Sequence, residues 1–164
     1  MRPPIAAALF VLAGIVSAGC EQPQPTAPSV TASLLAAPTT TPFSVSGTLA
    51  ITDPGTQWVS EDGIGHIRDQ TQSGLVSGDV TGSITVTGKS NVEVATETGS
   101  GSGRFTLTTS DGTWEGSFHG TFAAGVFSGK LMARGSGVWE GMRLKASVSQ
   151  TAADRFYMLT GTIR

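Results

Sequence analysis

The densest group of side chains able to do chemistry in this sequence lies between Glu61 and Gln70. Within it, His66, Arg68 and Gln70 alternate along the chain, which would place all three on one face of a β-strand. An imidazole and a guanidinium beside the Glu61 carboxylate could transfer a proton and stabilise an enolate inside a pocket. On the outside of a sheet the same residues form an ordinary solvated surface. We expect the outward orientation and keep the pocket site as the alternative.

Three residues are candidates for contact with a small ligand. Trp58 precedes the strand that carries Gln70, in a stretch that we interpret as a loop. Tyr157 has the parity of Leu159 in the last predicted strand, so its ring should face the core with its hydroxyl near one end of the domain. Trp114 lies on an apolar strand face, which favours core packing.

Several kinds of functional site lack the residues that they need in this sequence. Metal centres need clustered His, Cys, Asp or Glu, whereas the chain has two histidines and one cysteine. A site using His66 and His119 would need Asp69 or Glu61 as well, so we predict no metal and no cofactor. No serine lies in a nucleophile-elbow sequence, which disfavours a hydrolase. The net charge of -2 and the dispersed basic residues disfavour a nucleic-acid partner.

The amino terminus has the parts of an export signal. Arg2 supplies a positive charge, and the run from Ile5 to Val16 has no polar or charged side chain. This run is shorter than the roughly 20 residues that a membrane-spanning helix needs. The small residues Ser17, Ala18 and Gly19 then precede Cys20.

This order resembles the bacterial lipoprotein signal, with Ser17 where Leu is usual. The resemblance implies cleavage before Cys20, attachment of acyl chains such as palmitate, and anchoring of the exported protein to a membrane. Cys20 is the only cysteine, so no disulfide within the chain competes for its thiol. By the same resemblance, Glu21 implies the outer membrane in a Gram-negative cell. An ordinary secretory signal is the alternative.

The sequence therefore predicts three segments. Residues 1–19 form the signal helix and signal peptide, residues 20–42 the lipidated cysteine and a linker, and residues 43–164 the folded domain. All prolines except Pro54 precede Phe43, and Glu21 is the one charge between Cys20 and Pro42. Such a composition buries too little apolar surface to offset its ordering entropy, so we predict a disordered linker.

The domain has the pattern of an all-β protein. It holds all but two of the 22 glycines, and apolar and polar residues alternate along much of it. Turn-forming sequences end at Gly55, Gly101, Gly112 and Gly125. We predict strands near 43–52, 64–72, 75–87, 91–98, 103–109, 113–122, 126–134, 142–150 and 156–164. Eight or nine strands joined by hairpins favour a closed antiparallel up-and-down barrel, with a sandwich as the alternative.

The glycine-rich hairpins resemble those of the allene oxide cyclase barrel-like group. The runs that carry this resemblance are Gly65–Arg68, Gly78–Gly82, Gly103–Leu107, Gly112–Phe122 and Gly135–Arg143. The resemblance implies a small calycin-like barrel. It implies no single activity, because the group includes cyclases and proteins without an assigned role, and no cyclase catalytic motif matches this chain.

Three functional hypotheses follow. The first is a lipid-anchored envelope protein, not an enzyme, that binds a small apolar ligand or a partner protein. The second is an isomerase or cyclase acting in the barrel lumen through His66, Arg68 and Glu61. The third is a structural or inhibitory surface lipoprotein. The first two require an open lumen, whereas the third favours one filled by Trp114, Phe118 and their neighbours.

Overall fold

The computed structural model describes residues 39–151 and 155–164, and Ala36–Arg164 form a compact unit of their own. The predicted signal peptide, Cys20 and most of the predicted linker lie outside these described residues. In the part of the chain that is described, no helix is long and apolar enough to cross a bilayer.

Within these residues the chain forms nine antiparallel strands and one short 3₁₀ helix. The helix, Gly137–Trp139, joins β7 to β8. In chain order the strands are β1 (Thr41–Asp53), β2 (Thr56–Val59), β3 (Ile64–Gly78), β4 (Gly82–Glu93), β5 (Thr98–Thr109), β6 (Gly112–Ala123), β7 (Val126–Gly135), β8 (Arg143–Gln150) and β9 (Phe156–Ile163).

The sheet closes on itself. From β3 to β9 each strand pairs with its neighbours in sequence, and β9 returns to pair with β1 from Thr41↔Ile163 to Thr48↔Phe156. β1 and β2 both pair with β3, so they occupy one position in the wall, interrupted at Pro54 and Gly55. The result is a closed antiparallel barrel of 8 strands with β2 as an extra strand, which confirms the predicted fold class.

Alternation along each strand separates the inside of the barrel from its outside. On β6, Trp114 is fully buried, Phe118 and Phe122 pack against the core, and His119 is exposed, as its parity predicts. Glycines on neighbouring strands make room for the large rings. A Cβ atom on Gly103, for example, would lie 2.8 Å from the Phe118 ring.

The two ends of the barrel differ. One end, which we call the closed end, carries the turns at 79–81 and 110–111 and the connection 136–142. The other, the open end, carries the segment 54–63, the turns at 94–97 and 124–125, and Thr151 and Arg155 between β8 and β9. β1 begins at Thr41, so the preceding chain joins the barrel at the closed end.

Tight packing fills the closed end. Leu107, Trp114 and Leu144 are 0% exposed, and Phe43 is 2% exposed. Trp139 packs over Trp114, with their ring centroids 5.6 Å apart. This end of the lumen is therefore filled by side chains.

Two predicted strand breaks are wrong. β3 runs through Gly74 to Gly78, and β5 runs through Gly99 and Gly101. The turns lie instead at 79–81 and 94–97. A Cβ atom on Gly74 would collide with the backbone of Thr48, and one on Gly99 with the backbone of Asn91. These glycines permit close approach between strands, which the sequence pattern does not distinguish from a turn.

Candidate functional site: a lumen open at one end

The barrel contains a cavity of about 540 Å³ whose lining reaches the turns of the open end. Its deep wall is apolar and is formed by the buried side chains of Val76, Ile84, Phe105, Leu131 and Leu159. These residues come from five different strands, because inward positions at one level of a barrel meet around the same axis. The cavity is thus built by the wall itself.

Three phenylalanines form one side of the cavity. The Phe118 and Phe127 rings meet edge to face with centroids 5.9 Å apart, and Phe122 lies 5.1 Å from Phe127. Such contacts hold the rings in place by about 0.5–1.5 kcal/mol per pair beyond area burial. Phe118 and Phe122 therefore line the lumen, and they do not fill it as the hypothesis of a structural barrel expects.

Neutral polar groups line the cavity nearer its mouth. Gln70 and Gln72 face inward from β3, and the Gln72 Nε2 group donates to Gln70 Oε1 at 2.8 Å. Gln150 lies across the lumen on β8, where its Oε1 accepts from the Phe127 backbone N–H at 3.2 Å. Tyr157 on β9 adds a phenol. These groups can donate hydrogen bonds to a ligand and accept them without placing a charge beside it.

Three charged residues contribute to the lining: Lys89, an exposed residue of β4, and Glu97 and Arg155 at the rim. Glu97 belongs to the turn between β4 and β5, and Arg155 precedes β9. The Arg155 backbone carbonyl accepts from Leu49 N–H at 3.2 Å, which fixes the start of β9 against β1. The charged groups of Glu97 and Arg155 therefore lie at the entrance of the cavity, and its deep part is apolar.

Ionisation of Tyr157 provides a test of its lumenal position. Burial of the phenol raises the pKa of Tyr157 above its ordinary value of 10.0, and the charge of Arg155 opposes this shift. The neutral phenol thus contributes stability that is complete below pH 10.0 and is lost as the pH rises through the raised pKa. Tyr157 is the only tyrosine, so the rise in ultraviolet absorbance that accompanies ionisation of a phenol reports on it alone. We expect a midpoint above 10.0 in the folded protein that falls in urea; identical midpoints would contradict the lumenal position.

A β-bulge in β3 separates residues that alternation had placed together. The pairing of β3 with β4 shifts register between Ile67 and Gln70, and Asp69 adopts a positive φ of 56°. Ile67 and Gln70 consequently both line the cavity, while His66 and Arg68 project from the outer face. The prediction that Gln70 shares a face with His66 and Arg68 is wrong.

The outward residues form a cluster with Trp58. Trp58 belongs to β2, paired with His66, and not to a loop as predicted. The Trp58 and His66 rings stack with centroids 4.8 Å apart, and Arg68 Cζ lies 5.2 Å from the centre of the Trp58 ring. Trp58 remains 45% exposed. It therefore lies outside the lumen, where it cannot contact a ligand bound there.

Hydrogen bonds fasten this cluster to β4. Asn91 Oδ1 lies 2.9 Å from His66 Nδ1 and accepts from Arg68 Nη2 at 2.7 Å. Arg68 Nη1 donates to the Ser90 carbonyl at 2.9 Å. The cluster thus connects β2, β3 and β4 beside the bulge, where regular pairing of β3 with β4 is interrupted. Its hydrogen-bonding groups are engaged with the protein itself.

One chain of contacts resembles a catalytic triad. In it a hydroxyl (Ser60), an imidazole (His66) and an orienting side chain (Asn91) come in the order of nucleophile, base and orienting group. Ser60 Oγ lies 3.1 Å from His66 Nε2. The same hydroxyl, however, donates to Asp62 and lies 3.1 Å from the Ile64 carbonyl. The hydrogen bond from Ser60 lowers the pKa of the Asp62 carboxyl. Because this carboxylate competes with His66 for the hydroxyl proton, the arrangement favours a structural contact over an activated nucleophile.

The other residues that the sequence marked as site candidates lie partly in the cavity and partly on the surface. Gln70 and Tyr157 line the cavity; Glu61 is exposed in the turn between β2 and β3. His119 lies on the outer face of β6, away from His66 on β3, and no group of His, Cys, Asp or Glu suited to a metal occurs among the described residues. Sequence reasoning missed Gln72, since its inward orientation depends on the bulge.

Comparison with protein-family models and with curated proteins gives no match to this chain.

Proposed function

We propose that this chain is a lipid-anchored protein of the cell envelope whose barrel binds a small apolar ligand. The observation that carries the proposal is the cavity of about 540 Å³. Ligand pockets typically measure roughly 300–1,000 Å³ and combine apolar walls with a few polar groups. A barrel of purely structural role would be filled by side chains along its whole length, as only the closed end is here.

The wall suggests the chemistry of the ligand. Leu131, Phe105 and their neighbours accept an apolar body, whose burial contributes about 0.8 kcal/mol per methylene group. Gln70, Gln72 and Tyr157 lie nearer the mouth and suit a neutral head group with a hydroxyl, carbonyl or amide. A ligand with a charged group deep in the lumen would lose its hydration without compensation.

Catalysis in the lumen has less support. The isomerase hypothesis, including that of an enzyme like the allene oxide cyclases, needs an acid or base beside the ligand. His66 and Arg68 lie on the outer face, and Glu61 lies in an exposed turn. Since the three residues that the isomerase hypothesis relies on lie outside the lumen, the cavity supports binding better than reaction.

Membrane attachment rests on the sequence around Cys20. We expect Cys20→Ser to release the protein from membranes into the soluble fraction, because acyl chains on this cysteine are the proposed anchor. The measurement is fractionation of cells that express either form. Since β1 begins at the closed end, anchoring there would leave the open end accessible to ligand. Unchanged membrane retention of the variant would exclude Cys20 as the anchor.

Titration with a neutral apolar dye tests the binding function. N-phenyl-naphthylamine fluoresces more strongly in apolar surroundings and carries no charge. We expect the fragment 36–164, which contains the whole described barrel and its core, to take up the dye at one saturable site. The absence of saturable uptake would reject the proposed function.

A further inference from the structure

The outer face of the barrel is divided by charge. On β5 to β9, outward positions alternate with the core residues, and the sole carboxylate on those outward strand positions is Glu115. The outward cations are Arg104, Lys130, Arg134, Arg143 and Lys145, and Arg164 follows β9 directly. β6 separates Arg104 from the other five residues, and we call those five, which lie on β7, on β8 and just after β9, the basic face. They are separated in sequence, and the fold brings them together, so the dispersion seen in the sequence does not persist in the structure.

Three arginines of the basic face lie side by side. Arg134 is paired with Arg143 across β7 and β8. Arg143 and Arg164 exchange backbone hydrogen bonds at 2.8 and 3.1 Å. Arg134 also faces Glu115 across β6 and β7, but the pairing of Arg134 with Arg143 places like charges opposite each other, which destabilises a sheet. The other wall of the barrel avoids this cost, because its outward positions are mostly serine and threonine, for example Ser73, Thr85 and Thr87.

The arrangement of the basic face fits an extended anionic surface. Its cations are spread over adjacent strands of a convex wall and do not converge on one point, as they would around a single phosphate. Between them Met132 and Met158 are 54% and 43% exposed and offer flexible apolar side chains. Single-stranded nucleic acids are bound by aromatic platforms in a groove, whereas the neighbours of these cations are mainly serine, threonine and methionine.

We propose that the basic face docks onto the surface of a bilayer containing anionic lipids. Cations near such a surface attract it electrostatically, and the exposed methionines can enter the region between head groups and acyl chains. The arginine row lies at the closed end, where Thr41 pairs with Ile163 beside Arg164. The chain therefore enters the barrel next to the arginine row, where the positive charges of this face lie closest together. Docking uses the outer wall alone and is independent of ligand binding in the lumen.

Co-sedimentation with vesicles tests the proposal. The fragment 36–164 is mixed with vesicles of equimolar phosphatidylcholine and phosphatidylglycerol, or of phosphatidylcholine alone. We expect binding to the mixed vesicles only, falling as salt is raised. Lys145→Gln should weaken this binding about five-fold, since one cation near an anionic surface is worth about that factor.

Lys89→Gln is the matched control. Lys89 is exposed and mid-strand like Lys145, but it lies on β4, outside the basic face. We expect it to bind like the unchanged fragment, with circular dichroism showing that both variants fold. Three results would overturn the proposal: equal binding to neutral vesicles, equal weakening by the two variants, or tighter binding to single-stranded DNA than to mixed vesicles.

Discussion

Replacing Val86 with tryptophan should strongly weaken uptake of an apolar molecule by the barrel while leaving the barrel folded. Val86 faces inward from β4, lines the cavity and packs against the core residues. An indole at this position would project into the space of about 540 Å³ that we assign to the ligand. We expect the affinity for N-phenyl-naphthylamine to fall at least about ten-fold, measured by fluorescence titration. Filling an open cavity should cost less than the roughly 1–3 kcal/mol of overpacking a dense core.

Thr87→Trp is the control for that experiment. Thr87 follows Val86 directly but is exposed on the outer face, where its hydroxyl lies 3.2 Å from that of Thr71. The same large side chain there should leave dye affinity unchanged. If Val86→Trp and Thr87→Trp bind the dye equally well, the dye does not occupy the lumen.

Replacing Trp114 with alanine should cause the largest loss of stability of any change considered. Trp114 is 0% exposed, and its ring lies 5.6 Å from that of Trp139 at the closed end. Removing a buried tryptophan typically costs about 3–5 kcal/mol through lost burial and the cavity left behind. This is a large share of the roughly 5–15 kcal/mol that stabilises most domains. Unfolding in urea, followed by circular dichroism, measures the effect.

Two further variants keep this prediction testable should Trp114→Ala fail to fold. Trp114→Phe retains an aromatic ring, and the Nε1 group that it removes has no hydrogen-bond partner, so we expect a cost of about 1–2 kcal/mol. Trp58→Ala removes an indole that is 45% exposed and should cost about 1 kcal/mol. A cost for Trp58→Ala that clearly exceeds that for Trp114→Phe would contradict our assignment of the core to the closed end.

Alternation predicted the barrel because most inward residues are apolar along a wall that encloses a core. β6 and β9 follow this rule over their whole length, and the positions of Trp114 and Tyr157 were predicted correctly. The turn at Ala124 and Gly125 was also predicted, from a glycine that ends one alternating run; in the structure both residues adopt positive φ, which matches the twist of a hairpin.

The bulge at Asp69 is the main reason why the site was only partly predicted. One extra residue reverses the parity of everything after it, so Gln70 and Gln72 turn inward while His66 turns outward. Aspartate tolerates positive φ better than most residues, which was the one local signal available. The contacts of His66 with Asn91 and of Arg68 with Ser90 join strands distant in sequence, and no local pattern could indicate them.

The basic face was missed for a related reason. Its cations occur on strands β7 and β8 and just after β9, so they are adjacent only after the strands have paired in register. Composition reports the sum of charges, which is -2, and not their distribution over the surface. Parity assignments for each strand, once the turns are known, would reveal this distribution.

The measurement that tests the account most directly is an isotope-filtered NOE experiment on the fragment 36–164 with bound N-phenyl-naphthylamine. We predict contacts from dye protons to Phe118 and Leu131, which line the lumen. Met132 adjoins Leu131 but is 54% exposed on the outer face, and it should show none. Contacts to Met132 without contacts to Leu131 or Phe118 would contradict the conclusion that the lumen is the binding site.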